Sequence, residues 1–258
     1  MRETILQKLA EIEEREQVTI LHAVESGSRA WGFPSPDSDY DVRFFYMRPK
    51  AFYLRLDSPR DVIEVPIDAV LDINGWDLDK TFRLLHRGNP TLFEWSQSPV
   101  VYRTTELFQS FLPTIQAHFV AKSGLWHYLS MAKKNYRAYL LGETVRVKKY
   151  FYVLRPLLAC RWILERGTPP PMAFSDLVET QLEPELRGVV EELLARKRTT
   201  PELGLAPRID VLNEFIERTL PLLRSQVEAM PPEPPKSWDT LNSLFLSALE
   251  QPQKRLAE

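Results

Sequence analysis

The pattern of apolar residues changes once along the chain, near residue 104, and this change limits the possible fold more than any other feature. Ahead of it, short β-branched and apolar runs predict strands at 18–24, 40–47, 61–67, 69–73 and 100–102. Beyond it, apolar residues recur at helical spacing over 119–141, 144–166, 174–180, 183–198, 208–228 and 238–250. We therefore predict an α/β N-terminal half, opened by an amphipathic helix at 3–16, and an all-helical C-terminal half.

The charges of the chain nearly cancel, since 33 Lys and Arg against 35 Asp and Glu give a formal net charge of −2. This balance argues against nonspecific coating of DNA, although it is compatible with a local basic groove. The single cysteine, Cys160, excludes an intramolecular disulfide and lies in an apolar run that favours a core side chain over a reactive thiol. No apolar run is long enough to span a membrane, and the N-terminus lacks an apolar signal segment, so we expect a cytoplasmic protein without membrane contact.

A glycine-containing loop follows directly after the first predicted strand. It reads Gly27-Ser28-Arg29-Ala30-Trp31-Gly32. Glycine permits positive φ and close backbone approach, so successive N–H groups of such a loop can hold phosphate oxygens. The hydroxyl of Ser28 and the charge of Arg29 would add to such a phosphate site.

Two acids stand at the start of the next predicted strand, in Ser38-Asp39-Tyr40-Asp41-Val42. Positions i and i+2 of a strand point to one face, which places the carboxylates of Asp39 and Asp41 about 7 Å apart. A divalent cation would offset their repulsion, and Mg²⁺ prefers such oxygen ligands together with substrate phosphates. The alternative interpretation is a polar turn at 36–39 whose acids only cap backbone groups. The loop upstream favours the metal site.

These motifs resemble the DNA polymerase β-type nucleotidyltransferase superfamily, in which Gly-Ser is followed about ten residues later by Asp-x-Asp. Three longer stretches are similar to the nucleotidyltransferases found beside bacterial RNA ligases: GSRAWGFPSPDSDYDVRFFY, DINGWDLDKTFRLLHRGNPTLFEWSQSPVVY and KKYFYVLRPLLACRWIL. The resemblance covers about residues 20–180. It implies a mixed sheet with helices on one side, so the predicted class is α+β. The expected domains are a nucleotidyltransferase domain at 1–104 and a helical domain at 105–258.

The resemblance also implies a reaction. A nucleoside monophosphate is transferred from a triphosphate such as ATP, with release of pyrophosphate, and Mg²⁺ or Mn²⁺ is required. Asp39 and Asp41 match the first two metal-binding acids of the family. The third must come from a neighbouring strand: Asp72, just before an expected turn at Gly75-Trp76, is the first choice and Asp68 the alternative.

The helical half carries residues of the types that bind nucleotides. Lys148, Tyr152 and Arg155 fall at i, i+4 and i+7 beside the apolar stripe of the predicted helix 144–166, and Lys149 is adjacent. The preceding helix adds Lys133 and Arg137 at i and i+4. In polymerase β-like enzymes a helical partner domain supplies cations to the triphosphate, and lysine and tyrosine suit phosphate contact and base stacking. A solvated helix face is the alternative for each residue taken alone.

We expect a nucleotidyltransferase acting on a hydroxyl acceptor, which could be an RNA end, a protein side chain or a small molecule. A nucleotide-binding regulator that keeps the fold without turnover is the alternative from another class, and burial of Asp41 against Arg43 or Arg29 with no room for a metal would favour it. A phosphodiester hydrolase using the same acids is a weaker third hypothesis.

Overall fold

The computed structural model of the protein describes residues 1–57, 59–65, 70–199, 204–234 and 236–251. Its strands are β1 (Thr19–Glu25), β2 (Tyr40–Met47), β3 (Val62–Glu64), β4 (Leu71–Asp77), β5 (Val101–Thr104), β6 (Thr144–Arg146) and β7 (Leu205–Pro207). Its helices are α1 (Arg2–Glu16), α2 (Gly27–Ala30), α3 (Lys50–Tyr53), α4 (Leu78–His86), α5 (Pro90–Ser96), α6 (Glu106–Ala117), α7 (Ala121–Tyr139), α8 (Lys149–Arg166), α9 (Phe174–Gln181), α10 (Pro184–Thr199), α11 (Asp210–Ala229) and α12 (Asp239–Glu250).

Contacts group the chain into two compact units. The first unit comprises Met1–Gly27, Asp39–His118 and Pro235–Glu258, and the second comprises Ser28–Ser38 and Phe119–Pro234. The bounds of these units differ from the predicted domain boundary between residues 104 and 105. That boundary stays a prediction.

The first unit contains a five-stranded sheet in the order β3-β4-β2-β1-β5. The central strands β2 and β4 are parallel, whereas β1 pairs antiparallel with β2 and β5, and β3 pairs antiparallel with β4. The sheet is therefore mixed, as predicted.

Helices cover both faces of this sheet. Alternate residues of β2 point to opposite sides of the sheet, and the residues on each side pack against a helix. Val42 and Phe44 pack in one apolar cluster with α1. The buried residues of α1 are Ile5, Leu9 and Ile12, as its helical spacing predicts. On the other face, the ring of Phe45 stacks on Phe108 of α6, with the ring centroids 5.3 Å apart. The expectation of helices on one side only is therefore wrong.

The expected turn at Gly75-Trp76 is also wrong, since both residues lie inside β4. Gly75 is paired in register with Phe44 of β2. A Cβ on Gly75 would lie 2.2 Å from Cε2 of Phe44, so the glycine lets this ring lie against the backbone of the next strand.

Two helices of the first unit begin where the sequence predicts a cap, at Asp77 and at the pair Asn89-Pro90. The side chain of Asp77 accepts a hydrogen bond from the main-chain N–H of Asp79 (2.9 Å) at the start of α4. Asn89 accepts from the N–H of Thr91 (3.0 Å) before Pro90 opens α5. These caps satisfy N–H groups that have no partner within the helix.

The core of the second unit is built mainly from α7, α8 and α11. Phe33 brings the loop 28–38 into this core, with its ring centroid 4.9 Å from that of Phe151. Cys160 is fully buried in α8, as predicted, and burial raises the pKa of its thiol. Within the described ranges, no helix combines the length and the apolar character needed to cross a bilayer.

The predicted helix 144–166 begins five residues later than expected, at Lys149. Residues 144–146 instead form β6, which pairs antiparallel with β7, so the half predicted to be all-helical also contains a two-stranded sheet. Val145 and Val147 are buried while Thr144 and Arg146 are exposed, and this alternation is typical of a strand. Val147 fits both the helical spacing and the strand alternation, so the local sequence does not distinguish a helix from a strand here. The pairing of β6 with β7 makes residues 144–146 a strand.

Candidate active site

Two carboxylates and one guanidinium meet on the sheet face that carries Phe45. Asp41 of β2 and Asp72 of β4 are register partners, and their side chains are 31% and 32% exposed. Arg43 donates from Nη2 to Oδ1 of Asp41 (3.1 Å) and to Oδ2 of Asp72 (2.6 Å). Its Nη1 donates to the main-chain oxygens of Val42 (3.0 Å) and Asp72 (2.8 Å). One cation therefore neutralises part of the charge of both acids.

Glu25, the last residue of β1, fixes the backbone beneath this acid pair. Its buried side chain accepts a hydrogen bond from the main-chain N–H of Asp41 (2.7 Å) and another from the hydroxyl of Tyr102. The main-chain oxygen of Asp41 accepts from the N–H of Ser26 (2.8 Å). Both main-chain polar groups of Asp41 are thus engaged from the β1 side.

Gly27 allows the Asp41 carboxylate to lie directly against the backbone of the loop. Its φ is +59°, and a Cβ at this position would lie 2.1 Å from Oδ2 of Asp41. An L side chain at residue 27 would meet both a strained backbone and the carboxylate. The requirement for glycine therefore comes from the acid as well as from the turn.

Asp39 is exposed and lies immediately before β2. Among the described residues, no group of three or more His, Cys, Asp or Glu side chains is gathered into a metal-binding cluster. The structure therefore brings Asp41 and Asp72 together without adding Asp39 to them, and the metal-binding role of Asp39 stays a prediction. The alternative third acid, Asp68, lies outside the described residues.

The chemistry of the acid pair suits a divalent cation that prefers oxygen. Mg²⁺ is often held by only one or two carboxylates, with substrate phosphates completing the shell. Asp41 and Asp72 supply two such carboxylates, and they already share the positive charge of Arg43. The pair fits Mg²⁺ or Mn²⁺ on the condition that Arg43 gives up Oδ1 of Asp41 and Oδ2 of Asp72.

Ser28 and Arg29 lie in the second unit, where both contact Ser38. The hydroxyl of Ser28 donates to Oγ of Ser38 (3.1 Å), and Nη2 of Arg29 donates to the main-chain oxygen of Ser38 (2.7 Å). Oγ of Ser38 also accepts from the main-chain N–H of Ser35 (2.8 Å). These bonds close the loop 28–38 on itself. Phosphate binding by Gly27, Ser28 and Arg29 stays a prediction.

Lys149 and Tyr152 lie next to each other in the second unit. Nζ of Lys149 is 4.7 Å from the ring centroid of Tyr152 and 4.3 Å from that of Tyr139. Tyr152 meets Trp31 edge to face, with the ring centroids 5.6 Å apart. Tyr152 therefore adjoins an aromatic side chain of the loop 28–38, and Lys149 lies beside Tyr152. Lys148 is half-buried at the N-cap of α8, and nucleotide binding by these three residues stays a prediction.

Sequence reasoning missed Glu25, and it named Arg43 only as a partner of Asp41 that would favour the regulator. Each left a signal, because a charged residue within or at the end of an apolar strand usually has a partner. Arg43 shares the strand face of Asp41, and Glu25 directly follows the apolar run of β1. The partners themselves come from other strands and are not visible in the local sequence.

The mixed sheet and the acid pair beside Gly27 agree with the architecture that the sequence resemblance implies. The sequence profile described as the RNA repair pathway DNA polymerase beta family matches residues 1–247. The chain belongs to this family, and the resemblance found in its sequence is confirmed.

Two proteins similar to this chain differ in their sequence identity to it. Uncharacterized protein YcgL from Bacillus subtilis (strain 168) is 46% identical over 253 residues, which cover 97% of each chain. A solved structure of a nucleotidyltransferase-like protein from Exiguobacterium sibiricum 255-15 is 13% identical, with a TM-score of 0.31, and the match covers 86% of this chain and 74% of that one.

Proposed function

We propose that the protein is a divalent-cation-dependent nucleotidyltransferase, which transfers a nucleoside monophosphate from a nucleoside triphosphate to a hydroxyl acceptor. The observation that carries the proposal is the register pairing of Asp41 with Asp72, whose carboxylates share one cation. Membership of a DNA polymerase beta family supports the same reaction class.

In this reaction the acceptor oxygen forms a bond to the α-phosphorus, and the bond from the α-phosphorus to the bridging oxygen of pyrophosphate breaks. When bound, Mg²⁺ or Mn²⁺ supplies polarisation of the phosphate oxygens. Asp41 and Asp72 would hold it, with Asp39 as a further ligand from the chain segment before β2. Asp72 is also the proposed acceptor of the hydroxyl proton, since an ionised carboxylate only accepts hydrogen bonds.

Nucleotide binding is proposed for the residues that the sequence indicates. Gly27, Ser28 and Arg29 are the proposed phosphate-binding residues. Lys148, Lys149 and Tyr152 are the proposed contacts to the triphosphate and the base. Support for them is chemical, because lysine provides a point charge for phosphate and a tyrosine ring provides a stacking surface.

RNA is the first acceptor to test, because the family description refers to an RNA repair pathway. The experiment measures release of pyrophosphate from ATP, GTP, CTP and UTP with Mg²⁺ or Mn²⁺, in the presence and absence of total cellular RNA. We expect release with at least one triphosphate, dependent on the metal and increased by RNA. A lack of both turnover and thermal stabilisation with every triphosphate would overturn the proposal.

One observation favours a second candidate, a nucleotide-binding regulator without turnover. Arg43 already occupies carboxylate oxygens that a metal would need. Stabilisation by a triphosphate that does not depend on the metal, with no pyrophosphate released with any acceptor, would support the regulator instead.

A further inference from the structure

Helices α7 and α11 border a cavity of about 550 Å³ within the second unit. Its apolar lining includes Leu129, Leu220 and Trp126, and Trp126 is 37% exposed. A cavity of this size and lining lies within the range that binds small organic molecules in proteins. None of its lining residues belongs to the acid pair or to the nucleotide contacts proposed above.

One wall of the cavity is positively charged. Lys133 and Arg137 follow Trp126 at i+7 and i+11 of α7, so the three side chains share one helix face. In the described part of the chain, neither cation forms an ion pair with an acid. The two charges lie one helical turn apart, which suits two contacts to a single phosphate group.

The opposite wall, on α11, offers a carboxylate that is already oriented. Glu217 accepts a hydrogen bond from the hydroxyl of Tyr136 (2.5 Å). Burial and the neighbouring Glu217 raise the pKa of Tyr136 to about 12, so the hydroxyl keeps its proton near neutral pH. The remaining lone pairs of Glu217 can accept from an amine or a hydroxyl of a ligand.

We propose that this cavity binds a nucleoside monophosphate. Lys133 and Arg137 contact the phosphate, Trp126 stacks on the base, and Glu217 accepts from the sugar or from an amine of the base. The indole of Trp126 provides a stacking surface for the flat ring of the base, and the two cations offset the negative charge of the phosphate. The proposal does not depend on nucleotidyl transfer at Asp41 and Asp72.

The test is calorimetric titration with AMP, GMP, CMP and UMP, with inorganic phosphate and adenosine as partial probes. It is carried out in EDTA on a variant that carries Asp41→Asn and Asp72→Asn, so that failure of the proposed reaction cannot affect the result. We expect at least one monophosphate to bind, and about tenfold or more weaker binding of adenosine or phosphate alone.

In the same background, we expect Lys133→Ala with Arg137→Ala to weaken monophosphate binding by about tenfold or more, and Trp126→Ala to do the same. Lys134→Ala is the matched control, because this exposed lysine lies on the same helix but does not line the cavity. If no monophosphate binds, or if binding survives both cavity variants, the site is not the one proposed. Equal affinity for phosphate and monophosphate would overturn the role of Trp126.

Discussion

Arg43 and Asp72 are joined by two hydrogen bonds across the parallel strands β2 and β4. Nη2 donates to the carboxylate (2.6 Å) and Nη1 donates to the main-chain oxygen (2.8 Å). The same Nη2 reaches Asp41, so one side chain connects the two acids that we propose as metal ligands. A divalent cation and Arg43 would thus compete for the same carboxylate oxygens.

This competition predicts opposite effects of Arg43→Gln in the absence and presence of metal. Without metal, the two carboxylates lose their shared cation, and we expect the free energy of unfolding in EDTA to fall by about 1–3 kcal/mol. With Mg²⁺, we expect the variant to regain more stability than the wild type, because no guanidinium has to be displaced. Urea unfolding in EDTA and in Mg²⁺ measures both effects.

The control for this variant is Arg55→Gln. Arg55 pairs with Asp57 (2.5 Å), two residues away along the chain, but both side chains are about half exposed. Exposed pairs contribute little, so its effect should stay within about 0.5 kcal/mol under both conditions. If Mg²⁺ stabilises Arg43→Gln no more than Arg55→Gln, Arg43 does not compete with a metal.

Single substitutions of the proposed ligands should remove activity with little loss of folding. We expect Asp41→Asn, Asp72→Asn and Asp39→Asn each to lower pyrophosphate release by about 100-fold or more, since each removes charge that the reaction centre needs. Asp72→Asn should also cost roughly 1 kcal/mol of stability, because Arg43 loses a charged partner. Asp57→Asn, an exposed acid beside an arginine, is the matched control. A normal rate for Asp39→Asn would limit the site to the acid pair.

Much of the first unit could be predicted because its signals are local. The spacing of Ile5, Leu9 and Ile12, the span of β2 and the caps Asp77 and Asn89 all depend on residues within a few positions of one another. The proximity of Asp41 and Asp72 could not be derived locally. It requires β2 and β4 to be parallel neighbours in one register, which the sequence indicated only through its family resemblance.

The errors have a common physical origin in tertiary contacts. In the local sequence Gly75 is typical of a turn, but Phe44 of another strand packs against it in the structure. Thr144 fits a helical pattern in the local sequence, but its strand pairs with β7. Glu25 is an ordinary acid in the sequence, yet it holds the backbone of Asp41. Each depends on a partner distant in sequence, so local propensity was overridden.

Two glycines with positive φ allow strain and steric conflict to be separated. Gly27 has φ +59° and Asp41 against it, whereas Gly32 has φ +85° and nothing within 4 Å of an added Cβ. We expect Gly27→Ala and Gly32→Ala each to cost about 1 kcal/mol of stability from backbone strain. Only Gly27→Ala should also abolish pyrophosphate release, because its methyl group displaces the Asp41 carboxylate. Equal loss of activity in both variants would instead assign the effect to the loop as a whole.

His22 gives the stability of the first unit a dependence on pH. Its ring is buried and stacks on Phe108, with the centroids 4.2 Å apart. Burial lowers the pKa of His22 to about 4, against 6.5 for an exposed histidine. Burial also raises the pKa of Asp77 from 3.8 to about 6, and this acid acts in the opposite direction, since its contribution is lost as pH rises.

We therefore predict the pH effect of His22 as a difference between the wild type and His22→Phe, in which the contribution of Asp77 cancels. The folded pKa of His22 lies below its unfolded value, so protonation favours the unfolded chain. Its contribution is fully present above pH ~6.5 and is lost as pH falls towards ~4, by about 3 kcal/mol in total. Urea unfolding at a series of pH values should show the wild type losing this amount relative to His22→Phe. A difference that stays constant between these pH values would mean that His22 is protonated without cost in the folded protein.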